Sequence, residues 1–365
     1  MSDRYPELRD LARDLGVDAV ALVPGPNFVR AFNANFGAHE RPLLIIVPAY
    51  GPAAAIVPNL ELLSFDKLRF EGDVFDWRDQ TGYAGAFAAL AAAMPLNSIA
   101  VEGQVMRVFV HHALTNAYSG VKIVDAETAI SGLRLCKSEA DLDALSVAIK
   151  LSEAALADTL DQVRVGMTET EVERLLTQAL FAHGADAHAF PPIVAAGDNS
   201  AMPHAHARHD YAIKAGDALL LDYGARKGGF CADITRTVFV GHAPDRGAEI
   251  YDTVLRANLA GHAATRAGAT AHDVDDAATG VLEASPYAQF IRTKTGHGLG
   301  REVHEAPYIM RGNAQTLTPG MVFTIEPGLY LAGELGVRIE DDVVVTETGL
   351  RSLTSFPKTL TVVGR

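Results

Sequence analysis

The sequence predicts an α/β domain followed by an α+β domain, and three observations support this prediction. The chain has 365 residues, which is enough for two domains and a large core. Up to about residue 130, helix-like and strand-like segments alternate, as in helices packed on a sheet. Beyond it, a long helical stretch precedes strands and hairpins, which is typical of an α+β domain with much antiparallel sheet. We therefore predict one domain at residues 1–131 and a second at residues 132–365.

The first domain contains two kinds of short segment. Two have helical character: RYPELRDLARDLG, which ends at Gly16, and the alanine-rich segment 85–94, which ends at Pro95. Four have the apolar character of buried strands: DAVALVP, PLLIIVP, SIAVEG and VKIVDA. This order predicts helices packed on a sheet.

The second domain is expected to begin with helices. Ser138 and Asp141 have the pattern of a helix N-cap with an acidic first turn. Apolar residues at helical spacing follow: Leu142, Leu145, Ile149, Leu156 and Leu160. A second helix is expected from Thr168 to the stop at Gly184. Further helices are expected around residues 247–267 and 271–284.

Composition narrows the functional classes. The net charge of −14 argues against nucleic acid as a partner, because phosphate binding needs a basic surface. The two cysteines, Cys136 and Cys231, do not make a disulfide framework, and a reducing cytoplasm is the expected location. MSDRYPELRD lacks an apolar signal-peptide core. LLIIVPAYGPAAAIV is interrupted by Pro48 and Pro52 and is too short to span a membrane, so no membrane association is expected.

The segment LLLDYGARKGGFCADITRT, residues 219–237, has the pattern of a β-hairpin with an aspartate on each arm. Gly228-Gly229 permits the positive φ that a tight turn needs. If the turn centres midway between the aspartates, Asp222 and Asp233 lie directly opposite, with Cβ atoms about 5 Å apart. Their repulsion then requires a shared proton or a divalent cation. Alternatively, a register shifted by one residue sends one aspartate to the solvent face.

A second hairpin candidate, residues 321–347, repeats the arrangement. Glu326 and Glu340 lie on its two arms with Gly333 midway, so symmetric pairing sets them opposite each other. Between the two hairpins, His297 lies between Gly296 and Gly298, where the backbone can approach a ligand closely. Two acid pairs in one domain favour a buried site over a solvated face.

Four carboxylates and one imidazole make an oxygen-rich ligand set. Mn²⁺, Co²⁺ or Zn²⁺ suits such a set. The charge count favours two ions, because four carboxylates neutralise two dications. Two ions about 4 Å apart can bridge one water, lower its pKa and polarise a carbonyl, which is hydrolytic chemistry.

In order and local context these residues resemble the pita-bread metallopeptidases, the group of methionine aminopeptidase, aminopeptidase P, prolidase and creatinase. The proline-specific branch is the most similar. Its signatures are matched by IVAAGDNSAMPHAHA, the two hairpins and GHGLGREVHEAPY. The resemblance covers residues 132–365 and implies a pita-bread catalytic domain. The first domain resembles the smaller creatinase-like N-terminal domain only loosely, by size and by GPNFVRAFNANFG.

The resemblance implies a role for each ligand. Asp222 is similar to the residue that chelates one ion, and Asp233 and Glu340 to the bridging carboxylates. His297 and Glu326 would complete the shell of the second ion. The cofactor implied is a pair of divalent ions, Mn²⁺ first, whose bridging hydroxide attacks the Xaa-Pro bond.

Four residues would assist the chemistry. His204 and His304 resemble the histidines that contact substrate and stabilise the tetrahedral intermediate. Glu326 would carry a proton to the leaving nitrogen. Arg338 shares a strand face with Glu340 and resembles the arginine that orients a metal-site carboxylate, although a surface strand charge is the alternative.

Two positions depart from the family pattern. Phe230 stands three residues before the second ligand, where a tyrosine is frequent, and Thr293 stands four residues before His297, where a histidine is frequent. Neither position is a ligand, so hydrolysis is expected to survive.

The expected substrate is an Xaa-Pro dipeptide, as for prolidases. A dipeptidase must bind the free carboxylate after proline, and Arg41, just before a predicted strand, is a candidate, with a plain surface charge as the alternative. Aminopeptidase P activity on longer peptides is the second hypothesis. Creatinase-like hydrolysis without metal and a non-catalytic pita-bread binding module are less favoured, because all five ligands are present. The resemblance also implies a homodimer.

Overall fold

The computed structural model describes residues 5–37 and 39–364. The chain divides into two compact units, one ending at Arg134 and the next beginning at Leu135. Among the described residues, no helix combines the length and the apolar character needed to cross a bilayer.

The first unit is a six-stranded sheet with helices, as the alternating pattern predicts. Its elements in chain order are α1 Pro6–Asp14, β1 Ala19–Leu22, α2 Pro26–Phe32, β2 Leu44–Pro48, β3 Ala53–Pro58, α3 Leu62–Phe65, β4 Gly72–Trp77, α4 Ala84–Ala93, β5 Ser98–Val101, α5 Val108–Ala117, β6 Lys122–Asp125 and α6 Glu127–Gly132. The strand order is β4-β3-β2-β1-β5-β6. The pairs β1/β2 and β2/β3 are antiparallel, whereas β3/β4, β1/β5 and β5/β6 are parallel.

Both faces of this sheet are covered, which explains the continuous apolar strands. Along β1, Val20 and Leu22 pack into one buried cluster, and Ala19 and Ala21 pack into another. Strands buried on both faces lack the polar alternation of a half-exposed sheet.

Over residues 135–364, the second unit combines four α-helices with several small sheets. Its elements are α7 Glu139–Leu160, α8 Glu169–Ala182, β7 Ala187–His188, β8 Ile193–Ala196, β9 Ala218–Tyr223, β10 Ala225–Lys227, β11 Phe230–Cys231, β12 Ile234–Val240, α9 Asp245–Ala264, α10 Ala271–Glu283, β13 Gly296–Gly298, β14 Glu305–Ile309, β15 Val322–Ile325, β16 Gly328–Leu331, β17 Leu335–Arg338, β18 Asp341–Thr346, β19 Gly349–Ser352 and β20 Val362–Val363. The sheets are β20-β12-β9-β8, β14-β13-β15-β18-β19, β11-β10-β7 and β16-β17.

Local sequence signals account for the helix ends. Ser138 and Asp141 form a capping box at the start of α7, and Thr168 and Glu171 form another at the start of α8. Gly184, two residues beyond α8, has φ of 98°, a conformation that glycine adopts without strain.

The first hairpin differs in register from the prediction. Both Gly228 and Gly229 have positive φ, so these two residues form the turn, and Lys227 pairs with Phe230. Asp222 therefore pairs with Thr235 rather than with Asp233. The prediction of directly opposed aspartates is wrong by two residues. A shift of two keeps side chains on the same face, so Asp222 and Asp233 are diagonal neighbours.

The second hairpin has the predicted symmetric register. Ile325 pairs with Asp341 in the β15/β18 ladder, and Gly328 pairs with Arg338 in the β16/β17 ladder. Glu326 and Glu340 lie in the gap between these ladders, opposite each other. In this gap the backbone forms hydrogen bonds outside the hairpin. The Glu326 N–H donates to the carbonyl oxygen of Thr295 at 2.7 Å, and the Glu340 N–H donates to that of Thr235 at 3.1 Å.

Candidate metal centre

Five acidic and histidine side chains meet where three of these sheets adjoin. Asp222 lies near the end of β9, Asp233 directly precedes β12, His297 lies in β13, and Glu326 and Glu340 lie in the gap of the second hairpin. All are buried except Glu326, which is partly exposed. The structure thus brings together every residue that the sequence analysis named as a metal ligand.

Potential ligand atoms form overlapping triplets, within which all atoms lie within 4.8 Å of one another. One triplet is Asp222, Asp233 and Glu340, and a second is His297, Glu326 and Glu340. Glu340 belongs to both, as a bridging carboxylate would. A third triplet, Asp233 with His297 and His304, includes a histidine that was assigned to substrate.

Within this cluster of five side chains, two buried carboxylate oxygens have no hydrogen-bond partner among the described residues. They are Oδ1 of Asp222 and Oδ1 of Asp233. An unpaired buried carboxylate oxygen is costly, and a bound cation would compensate for it. Together with the oxygen-rich set of side chains, these atoms fit a site for hard or borderline divalent ions.

The carboxylates perturb one another strongly. Burial, followed by the charges of Glu340 and Asp222, raises the pKa of Asp233 well above its usual range. Burial, followed by the charges of Glu326 and Asp222, raises the pKa of Glu340 in the same direction. Burial also raises the pKa of Asp222, although Arg338 opposes it. Burial and mutual repulsion favour protonation of these carboxylates. A cation bound among them would favour the ionised forms instead.

His297 is oriented for binding by its neighbours. Its backbone N–H donates to Thr324 Oγ1 at 3.1 Å, and its Nδ1 lies 3.2 Å from the carbonyl oxygen of Gly298. Nε2 then points to the carboxylates, 3.2 Å from Glu326 Oε1 and 3.6 Å from Asp233 Oδ2. A backbone bond at one ring nitrogen leaves the other for a metal.

The glycines beside His297 serve strand packing. A Cβ on Gly296 would lie 1.9 Å from the carbonyl oxygen of Thr324, and one on Gly298 would lie 2.1 Å from that of Ala306. The expected close approach is therefore to the neighbouring β15 backbone and to the start of β14.

Arg338 is buried, with 3% of its surface exposed, so the alternative of a surface charge is wrong. Its Nη2 donates to Asp222 Oδ2 in a short ion pair. Its Nε donates to Thr235 Oγ1 at 3.0 Å, and its Nη1 to the Tyr330 hydroxyl at 2.8 Å. Thr235 in turn donates to Glu340 Oε2 at 2.6 Å. Arg338 thus orients one carboxylate directly and a second through Thr235.

A second buried arginine, Arg236, was not identified from the sequence. It donates to the carbonyl oxygen of Glu340 and, at 2.8 Å, to Asp341 Oδ1. Asp341 also accepts from Lys358 Nζ at 2.7 Å and lies 3.0 Å from His262 Nε2. This network fixes the backbone that carries Glu340. The sequence offered only a weak indication of this role, because an arginine inside an apolar strand can serve many structural purposes.

His204 and His304 lie at the wall of a cavity of ≈ 450 Å³ that opens onto the five acidic and histidine side chains. The His304 ring meets the His297 ring edge-on, with centroids 4.1 Å apart. Although part of the ring is exposed, desolvation and the charge of His297 lower the pKa of His304 to about 4. A neutral ring can donate one hydrogen bond near pH 7.

The loop that carries His204 is held by Glu169 at the start of α8. This fully buried carboxylate accepts hydrogen bonds from the N–H of Ala196 at 2.7 Å, from Asn199 Nδ2 at 2.8 Å and from the N–H of Arg208 at 2.6 Å. The Arg208 guanidinium also bonds Glu169 at 2.9 Å. These contacts join both ends of the His204 loop.

The remaining candidates have simple surroundings. Arg41 lies in the first unit and pairs with Asp79 at 2.8 Å and with Glu40. Phe230 is buried beneath the Arg301 guanidinium, whose carbon lies 4.5 Å from the ring centre. Thr293 lines the cavity, so its departure from the family pattern bears on substrate contact.

Comparison with known proteins gives a consistent result. Residues 143–347 match the sequence model of metallopeptidase family M24, and residues 4–136 match that of the Creatinase/Prolidase N-terminal domain. The probable dipeptidase PepE of Mycobacterium tuberculosis is 34% identical over 96% of this chain and 93% of its own.

Two solved structures illustrate the likeness in three dimensions. A prolidase from Thermococcus sibiricus has a TM-score of 0.93 and 32% identity, covering 99% of this chain and 98% of its own. An X-Pro aminopeptidase from Thermotoga maritima has a TM-score of 0.85 and 30% identity, covering 98% and 99%.

Proposed function

Because this chain belongs to metallopeptidase family M24, we propose that it is a prolidase, a metal-dependent enzyme that cleaves Xaa-Pro dipeptides. The buried set of four carboxylates and one histidine carries this proposal, because its two triplets share Glu340 and suit a pair of cations. The prolidase and dipeptidase names of similar proteins support the substrate class.

The proposed cofactor is a pair of divalent ions, with Mn²⁺ first and Co²⁺ or Zn²⁺ as alternatives. Asp222, Asp233, His297, Glu326 and Glu340 would hold them. When bound, the ions would supply a nucleophile at neutral pH and polarise the scissile carbonyl. The unpaired oxygens of Asp222 and Asp233 support this assignment.

Glu326 is the proposed proton carrier. Burial works to raise its pKa, but the hydrogen bond and charge of His297 overcome this and lower the pKa of Glu326. An ionised carboxylate can accept a proton from the nucleophile and deliver it to the departing proline nitrogen.

His204 and His304 are the proposed hydrogen-bond donors to substrate. Both line the cavity beside the acidic cluster. Donors aimed at the carbonyl oxygen stabilise the negative charge that develops there. Arg338 is proposed to keep Asp222 in position through its direct ion pair.

Selection of dipeptides requires a cation for the free carboxylate after proline, and Arg41 is the proposed residue. Two cations of the second unit, Arg292 and Lys294, line the cavity and compete for this role. Arg41→Ala is expected to slow Ala-Pro cleavage and to raise the relative rate on Ala-Pro-Ala. Lys294→Ala is the matched comparison. An unchanged ratio in Arg41→Ala, with a changed ratio in Lys294→Ala, would move the role to Lys294.

The direct test compares hydrolysis of Ala-Pro and Ala-Pro-Ala by protein loaded with Mn²⁺, with an EDTA-treated control. Cleavage of the dipeptide alone, abolished by EDTA, is the expected result. Preference for the tripeptide would assign aminopeptidase P activity, which the likeness to the Thermotoga maritima enzyme favours as the second candidate. Absence of cleavage of both would favour a non-catalytic binding module.

We also propose a cytoplasmic location and a homodimer. Cys136 and Cys231 are free thiols, which suits a reducing compartment. The homodimer rests on the family resemblance. The net charge of −14 supports a peptide rather than a nucleic acid as the partner.

A further inference from the structure

We infer that the segment before and at the start of α7 positions His304 through two ion pairs, one with the loop that carries this histidine and one with Glu305 directly after it. The loop comprises residues 299–304, between β13 and β14, and is called here the His304 loop. The inference rests on the proposed function, in which His304 contacts substrate. It assigns Lys137 and Glu305 as positioning residues.

The first ion pair joins Lys137 to Glu305, the residue directly after His304. Lys137 Nζ lies 2.6 Å from Glu305 Oε1, and only 4% and 3% of the two side chains are exposed. Lys137 Nζ also donates to the carbonyl oxygen of Leu135 at 3.3 Å. The Lys137 N–H donates to the carbonyl oxygen of Gly320 at 2.8 Å, so this end of the pair is fixed by backbone.

The second ion pair joins Arg301, within the His304 loop, to Asp141 of α7 at 3.6 Å. Asp141 is already held by the capping box with Ser138. The Arg301 carbonyl oxygen accepts from Arg226 Nη1 at 3.4 Å. The residue after His304 and Arg301 before it are therefore both tied to α7 or to the segment that precedes it.

Gly300 makes room for the first pair. A Cβ at this position would lie 2.9 Å from Lys137 Cε and 3.0 Å from Glu305 Oε1. Any side chain there would press on the two groups that form the buried contact. The His304 loop is thus shaped around the ion pair.

The strand ladder alone does not place His304. β14 begins at Glu305, one residue after it, and the β13/β14 register shifts between His297 and Gly298. The His304 ring nevertheless sits edge-on to His297 at 4.1 Å. A contact at Glu305 Oε1 therefore acts on the residue next to the histidine at the point where backbone pairing ends.

Stability is a poor explanation for this pair. Two desolvated charges commonly stabilise a fold no better than apolar residues of similar volume, whereas removal of one partner is costly. Orientation of a neighbouring functional group gives the pair a role that apolar residues cannot reproduce.

The test compares Lys137→Met with the double variant Lys137→Met/Glu305→Leu. The single variant is expected to lose stability, seen as a lower urea midpoint, because it leaves the buried Glu305 carboxylate without the positive charge of Lys137. The double variant is expected to recover the urea midpoint and the bound metal. Its kcat on Ala-Pro should stay about 10- to 100-fold below wild type, with KM within about threefold, because a displaced group costs rate.

The same substitutions made in the His304→Ala variant distinguish an effect on His304 from an unspecific loss of activity. In His304→Ala, replacement of Lys137 and Glu305 is expected to lower kcat no further, because the ion pair affects kcat only through the position of His304. Lys227→Met removes an exposed Lys–Asp pair of similar length, 2.7 Å, and should leave kcat unchanged. Wild-type kcat in the double variant would overturn the inference.

An NMR measurement that does not depend on peptide cleavage tests the inference separately from the proposed function. In the zinc-loaded protein, the edge-on His297 ring is expected to shift the His304 imidazole proton resonance through its ring current, and His304→Ala identifies this resonance by its loss. The double variant is expected to move this resonance toward its value in the unfolded chain. An unmoved resonance would overturn the inference, even if neither peptide is cleaved.

Discussion

Asp233 lies buried among other carboxylates, those of Glu340 and Asp222 first. Its Oδ1 atom finds no hydrogen-bond partner among the described residues, and its backbone N–H donates to Asp342 Oδ2 at 3.2 Å. Burial and repulsion both favour the protonated form, which a divalent cation would reverse. The side chain therefore serves metal binding at the expense of the stability of the metal-free fold.

Asp233→Asn tests whether this side chain serves metal binding rather than the stability of the metal-free fold. The substitution removes a buried charge but keeps the side-chain volume and the backbone hydrogen bond. In EDTA, the free energy of unfolding should rise, or fall by no more than about 1 kcal/mol, because the repulsion from Glu340 and Asp222 is relieved. Affinity for Mn²⁺, measured by calorimetry, should fall at least about 100-fold.

The matched control is Asp186→Asn, which changes an exposed carboxylate paired with Lys227. It should leave Mn²⁺ affinity unchanged. A large loss of stability in metal-free Asp233→Asn, with normal metal affinity, would mean that Asp233 is structural.

Thiol reactivity gives a second prediction at the level of single residues. Burial raises the pKa of Cys231 to about 11, whereas Cys136 is exposed. Because the thiolate is the reactive form, Cys231 should resist a disulfide reagent at pH 8 and react only as the pH approaches that value or as the chain unfolds. One fast thiol per chain is expected, and Cys136→Ser should abolish it. Two fast thiols would contradict the burial of Cys231.

The residue types of the site were predictable, but their supporting contacts were not. Asp222, Asp233, His297, Glu326 and Glu340 stand out because acids and a glycine-flanked histidine are unusual inside apolar strands. Thr235 and Tyr330, which hold Arg338, are ordinary strand residues. Only the three-dimensional meeting of β9, β12, β16 and β17 gives them a role.

At the level of secondary structure, the two hairpins show which details a sequence can determine. The symmetric register of the second hairpin was predicted correctly, although its loop is longer. The first was placed two residues off, because the turn was centred before Gly228 rather than between Gly228 and Gly229. The period of two along a strand preserved the face, so the aspartates still meet.

The turn of the first hairpin carries a prediction. Gly228 and Gly229 have φ of 57° and 82°. Asn-Gly suits such a turn, so Gly228→Asn should change the free energy of unfolding by less than about 0.5 kcal/mol. A β-branched residue in this region is strained, and Gly229→Val should cost roughly 1–2 kcal/mol. Urea denaturation of both variants measures the difference. Equal stabilities would contradict the assigned turn.

Long-range contacts explain what the helix and strand patterns did not predict. The loops that carry His204 and His304 depend on Glu169 and on the Lys137–Glu305 pair, whose partners are far apart in sequence. β4 was not predicted from the sequence. It is an edge strand whose residues are mostly exposed, so it lacks the apolar run that marks a buried strand. Capping signals were informative because they are local.

For the whole molecule, the class of fold and the enzyme class followed from the sequence. The predicted creatinase-like α/β domain, the pita-bread α+β domain and the metallopeptidase family are confirmed. The choice between dipeptides and longer peptides did not follow, because both activities occur among the similar structures. That choice depends on a few contacts at the cavity wall.

The central claim is that the buried acidic cluster makes this chain a metal-dependent peptidase. The most direct measurement is a titration of EDTA-stripped protein with Mn²⁺, following bound metal and the rate of Ala-Pro cleavage together. The account predicts that the rate rises with bound metal and reaches its plateau at two ions per chain, and that Glu340→Gln loses both. Ala-Pro cleavage that is independent of metal, or tight binding of Mn²⁺ that survives in Glu340→Gln, would contradict it.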